Sequence, residues 1–143
     1  MPASPVILLI AREPRSQNAN NKGKYQADLA DQARSLVKSP LLDSRLYSKV
    51  WYFYREANAI DADNLSKPIL DALQGIAYQN DKQVVLRIAA KVATDVDTYD
   101  LTPHPAAVKE YARFLQLLSI EPHLLYIEIG ELTNFRVTVG GAP

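Results

Sequence analysis

Three successive segments between residues 45 and 92 limit the fold more than anything else in the chain. "RLYSKVWYFY" (45–54) is dense in aromatic and branched side chains, which suit a pleated, half-buried surface, and reads as a strand. "NLSKPILDALQG" (64–75) places Leu65, Ile69, Ala72 and Leu73 on one helical face. Asp63 or Asn64 is available as N-cap, Pro68 lies near the first turn where a missing N–H is tolerated, and Gly75 is placed to close the helix. "QVVLRIAAKV" (83–92) alternates, with Val84, Leu86, Ile88, Ala90 and Val92 on one face and Arg87 and Lys91 on the other, which predicts a central strand. Strand, helix and strand in that order favour a parallel return with the helix crossing one face. The expected class is therefore α/β in the broad sense, a mixed α+β fold on a mixed sheet.

The flanking segments extend this frame. "VILLI" (6–10) is a short apolar run that reads as a buried strand, and "REPRSQNANNKGK" (12–24) reads as a loop. From Tyr25 the positions Leu29, Ala33, Leu36 and Val37 recur at helical spacing and stop before Ser39-Pro40. After the polar stretch 93–105, "AAVKEYARFLQLLSI" (106–120) predicts another amphipathic helix, giving about three. "HLLYIEIGEL" and "NFRVTVG" are candidate closing strands. His104 and His123 show no evident partners in the sequence and read as structural. With 143 residues, 48% of them hydrophobic, and no internal repeat, the material suffices for one domain spanning 1–143. No window reaches the roughly 18 apolar residues of a membrane span, and the N-terminal run is too short and too poor in leading positive charge for a secretory signal, so an intracellular, cytoplasmic protein without membrane association is expected.

The chain has no Cys, so any metal here would rest on carboxylates or histidines, and carboxylates favour hard cations such as Mg2+ or Mn2+. Net charge is zero but unevenly placed. Through Arg55 there are nine Lys+Arg against four Asp+Glu, and from Glu56 onward seven against twelve, a balance of +5 followed by −5. One region is thus suited to a polyanion and the other to a cation. In the loop 12–24, Arg12, Arg15, Lys22 and Lys24 oppose a single Glu13, and Asn18, Asn20 and Asn21 add amide donors, a composition suited to phosphate contact.

"DADN" (61–64) follows the aromatic strand. If residues 60–63 are extended, Asp61 and Asp63 point to the same side, with Cα atoms roughly 6.5 to 7 Å apart. Asp81 supplies a third carboxylate just before the next strand, and Lys67 lies one turn inside the helix. Singly these residues have ordinary uses, Asp63 as a helix cap and Asp81 as a turn opener. Together, three carboxylates would repel one another unless a cation is bound. A parallel return leaves Asp81 at the far end of the sheet. Either residues 75–80 run back in extended form beside the helix, or a partner subunit completes the group.

The stretch "DADNLSKPILDALQGIAYQNDKQVV" resembles the signature of the RusA-type Holliday junction resolvases, in which Asp-x-Asp-Asn-x-x-Lys precedes an "LDAL-G" helix and an Asp-x-Gln-Val-Val strand. The resemblance is strongest over residues 59–91. It implies an intertwined homodimer that cuts paired strands of four-way DNA junctions with magnesium, manganese being a possible substitute. It places the catalytic, metal-holding aspartates on Asp61, Asp63 and Asp81 and the essential lysine on Lys67, with Asn64 as a supporting amide. Residues from about 94 to 122 read as a helical insertion relative to the family. Two other functions compete on the sequence: a DNA-binding protein of this fold that no longer cuts, and a magnesium-dependent hydrolase of small phosphates, for which no Gly-rich phosphate loop is visible.

Overall fold

Periodicity resolves into four strands and three helices in a computed structural model that describes residues 4–15, 22–37, 40, 44–58, 60–102 and 104–142. In chain order these are β1 (Val6–Ile10), α1 (Lys22–Leu36), β2 (Leu46–Tyr54), α2 (Ser66–Leu73), β3 (Val84–Ala93), α3 (Val108–Ile120) and β4 (His123–Glu131). Short 3-10 turns stand at Ala62–Asn64, Asp81–Gln83 and Pro105–Ala107. The result is a single α+β domain on one mixed sheet.

The sheet order is β1-β4-β2-β3. β2 and β3 run parallel from the Leu46–Val84 pair to the Tyr54–Ala93 pair, the return that strand, helix and strand had predicted. β4 is antiparallel to both β1 and β2 and lies between them. Residues 124–130 are all buried. β3 is therefore an edge strand and not the central one its alternation suggested, because the last strand of the chain enters the middle of the sheet.

Each face of the sheet is covered. On one, Tyr25, Leu29 and Ala33 of α1 and Ile69, Leu70 and Leu73 of α2 pack on Leu8, Ile10, Val50 and Tyr52. On the other, Phe114 and Leu118 of α3 pack on Ile7, Phe53, Leu124 and Tyr126. Burying each such Leu, Ile or Phe contributes about 1.5–3 kcal/mol, and β4 contributes to both layers, Leu125, Ile127 and Ile129 on one side and Leu124 and Tyr126 on the other. Two expectations about boundaries change. α1 begins at Lys22, so Lys22 and Lys24 lie in its first turn and not in a loop; Gly23 is tolerated there at modest cost. "NFRVTVG" forms no strand: Asn134, with φ of 52°, turns the chain out of the extended path just past β4, and Val137 and Val139 are 69% and 93% exposed.

On the α3 face, the Tyr47 and Tyr126 hydroxyls both donate to the buried Glu128 carboxylate. Tyr47 reaches it by lying across Gly130, its cross-strand partner, where an added Cβ would stand 2.6 Å from the Tyr47 hydroxyl oxygen. Gly130→Ala should push Tyr47 off Glu128 and destabilise the fold by about 1–3 kcal/mol in urea denaturation. An unchanged unfolding midpoint would mean that the ring moves aside freely.

Candidate active site

After β2 the chain is anchored by two buried residues, Ile60 and Leu65, and "DADN" bridges them. Asp61 is extended, with φ −85° and ψ 151°, but Ala62–Asn64 tightens into a 3-10 turn held by Asn64 N–H to the Asp61 carbonyl at 3.0 Å and Leu65 N–H to the Ala62 carbonyl at 3.2 Å. The period-two placement expected of Asp61 and Asp63 is thereby lost. The physical reason is the short path between the two anchors, which must also turn into α2. Asp61 and Asp63 are exposed. The N-cap position of α2 is taken by Leu65, with no side-chain capping bond, so neither Asp63 nor Asn64 caps the helix. The side chains of Asp61, Asp63 and Asn64 make no hydrogen bond or ion pair to any described residue. The ordinary structural use of Asp63 is thus absent.

Lys67 projects from the first turn of α2 and pairs with Asp71, one turn on, at 3.2 Å. Asp71 is a site residue beyond those expected from the sequence, although its i,i+4 spacing from Lys67 signals the pair. Asp81 is positioned by a different device. Gly75, at φ 85°, turns the chain after α2, and the amides of Ile76 and Ala77 both bond to the Leu73 carbonyl. Residues 74–78 are thus coiled at the end of the helix and do not run back in extended form. The buried Tyr78 hydroxyl lies 2.6 Å from the Leu70 carbonyl and 3.3 Å from Asp81 Oδ1. Burial first, then the Asp81 charge, raises the Tyr78 phenol above its usual range, so it stays protonated and donates.

The turn that Asp81 opens is capped by Asn80. Its side chain accepts from the Lys82 amide at 2.9 Å, and Gln83 Oε1 accepts in return from the Asn80 amide at 2.9 Å. The Asp81 carboxylate is not needed for that turn and is exposed.

Among the described residues, no group of three or more His, Cys, Asp or Glu side chains is placed to hold a metal ion. Asp61, Asp63 and Asp81 fit a hard divalent cation in chemistry, being exposed carboxylates with one hydrogen bond among them, that of Tyr78 to Asp81. Their placement within one chain leaves the group open.

The basic residues Arg12 and Lys24 stand against and on α1, which packs on α2. Arg12 pairs with Asp28 of α1 at 2.7 Å and stands over the Tyr25 ring, 5.0 Å from its centroid. Lys24 is exposed in the first turn of α1. Asn20 lies outside the described residues, as does the side chain of Lys22. Gln26 Nε2 donates to the Pro68 carbonyl at 2.9 Å, which ties the start of α1 to the helix that carries Lys67. His123 has partners that its sequence context hides: Tyr52 Oη at 2.7 Å and Glu56 at 3.6 Å. Its role is structural.

The family model for the endodeoxyribonuclease RusA matches residues 13–99, well over half of the chain. The chain belongs to the RusA endodeoxyribonuclease family. The matched span holds α1, β2, the "DADN" turn, α2 and β3, and with them Asp61, Asp63, Lys67 and Asp81. α3 and β4 lie beyond the RusA match, although β4 completes the sheet. No curated protein matches the chain closely enough to count as a relative. No described helix is long and apolar enough to cross a membrane.

Proposed function

We propose that the protein is a magnesium-dependent, structure-selective endonuclease that resolves four-way DNA junctions inside the cell by paired strand cleavage. The observation that carries this reading is that Asp61, Asp63 and Asp81 are exposed inside the RusA-matched span that also holds Lys67, Asp61 and Asp63 making no bond to any described residue and Asp81 bonded by Tyr78 alone. Asp61, Asp63 and Asp81 hold the divalent ion, Mg2+ or Mn2+, with Asn64 in support. Such an ion, once bound, lowers the pKa of an attacking water and offsets phosphate charge. Lys67 stabilises the negative charge that develops on the phosphate, and Asp71 holds Lys67 in place. Arg12, Arg15, Asn20, Lys22 and Lys24 grip the DNA backbone.

The working unit in this reading is a homodimer. A four-way junction has two-fold symmetry, resolution needs two matched cuts, and a two-fold dimer presents both sites at once. A second chain is also one way to close the carboxylate group that a single chain leaves open.

The open group favours one rival, a junction-binding protein of the same fold that does not cut. Incubation of the pure protein with a synthetic four-way junction, a linear duplex and a nucleotide, each with magnesium or with chelator, separates these readings. We expect paired cuts in the junction alone, only with magnesium, from a species of about twice 15.9 kDa in solution. Binding without cutting would establish the rival, and nucleotide hydrolysis would replace both.

A further inference from the structure

Two buried donors near the start of α1 lack an acceptor. The Tyr25 hydroxyl and Arg15 Nε are both shut off from solvent, and neither has a hydrogen-bond partner among the described residues. An arginine Nε only donates, so its missing partner is an acceptor, and the Tyr25 phenol, kept protonated by burial, can donate to the same group. Native proteins rarely leave such groups unpaired, because burying a polar group without a partner is costly.

The surroundings specify the acceptor's charge. The guanidinium groups of Arg12 and Arg15 both act on the Tyr25 hydroxyl; the half-exposed Asp28 carboxylate balances Arg12 at 2.7 Å, whereas Arg15 has no ion pair among the described residues. The first turn of α1 has no acidic residue, so the positive end of the helix adds to the same field, with exposed Lys24 in that turn. A bridging water would satisfy the donors but leave the Arg15 charge uncompensated. A tetrahedral oxyanion supplies both acceptor oxygens and charge.

Resting on the function proposed above, we infer that Arg15, Tyr25 and Arg12 form a pocket for one DNA backbone phosphate distinct from the phosphate that is cut. The Gln26 to Pro68 bond fixes this corner against α2, so a phosphate held there sets the register of the strand relative to Lys67. Exposed Lys24, by contrast, adds attraction without position.

Tyr25→Phe keeps the ring, its packing and the stacked Arg12, and removes only the hydroxyl. Thermal unfolding with and without inorganic phosphate, at matched ionic strength in chloride, tests the pocket. Affinity for four-way junction DNA in chelator tests the assignment to DNA without requiring cleavage. Phosphate should raise the melting temperature of the wild type and have little effect on Tyr25→Phe or Arg15→Met. Junction affinity of each variant should fall roughly tenfold, as expected for a lost hydrogen bond to a charged group. If Arg15→Met fails to fold, Tyr25→Phe alone decides. Equal phosphate stabilisation of wild type and Tyr25→Phe, or none in the wild type, overturns the pocket. A phosphate response lost in Tyr25→Phe with junction affinity unchanged overturns the assignment to DNA.

Discussion

Asp61→Asn, Asp63→Asn and Asp81→Asn should each lose junction cleavage by about a thousandfold or more while binding junctions within a few-fold of the wild type. Removing one ligand charge weakens the hold on a cation whose contribution to the transition state is several kcal/mol, and about 1.4 kcal/mol is a factor of ten in rate. Binding should survive because the residues proposed to grip phosphate are other ones, and loss of a negative charge eases the approach of DNA. The fold should survive too. All three side chains are exposed, none caps α2, and the Asp81 turn is capped by Asn80, so melting temperatures should stay within about a degree or two, as for surface substitutions. Dimers that combine wild-type and Asp63→Asn chains should nick one strand without completing resolution. Cleavage at the wild-type rate by any one variant would remove that residue from the site.

Lys67→Ala should slow cleavage by about 10²–10³, the usual cost of deleting one charge stabiliser at a developing oxyanion. The Lys67–Asp71 pair cannot account for such a loss through stability, since an exposed i,i+4 pair contributes about 0.3–0.5 kcal/mol. Asp71→Asn keeps the Lys67 charge and loosens only its position, so its effect should be smaller, roughly tenfold, and confined to kcat. Single-turnover cleavage of a labelled junction separates the two variants. A Lys67→Ala enzyme that cuts at the normal rate would reduce Lys67 to a surface cation.

Much of this fold is legible in local periodicity. The aromatic alternation of residues 46–54, the helical spacing of Leu65, Ile69 and Leu73, and the alternation from Val84 each report which faces are buried, and each element formed where its pattern stood. The order strand, helix, strand was enough for the parallel pairing of β2 and β3, because the crossover constrains its handedness and direction. The residues of the candidate site also stand together in the sequence, since "DADN", Lys67 and Asp81 lie within 21 consecutive residues of one motif.

What the sequence could not decide depends on residues far apart along it. β4 lies between β1 and β2, so an edge position for β3 was invisible in the alternation of β3 itself; a strand's own pattern reports its faces and not its neighbours. The 3-10 turn at Asp63 follows from Ile60 and Leu65 both being drawn into the core, and the capping of the Asp81 turn fell to Asn80 through the reciprocal bonds of Gln83. Tyr25 is buried by the packing of α1 on the sheet and on α2, within reach of the Arg15 charge, an arrangement that no short-range spacing encodes. The sequence by itself determined which elements form and which residue types can bind a cation and a phosphate. Only the tertiary structure decided which of those residues are free of other duties, because that depends on the partners that long-range packing brings within hydrogen-bond reach.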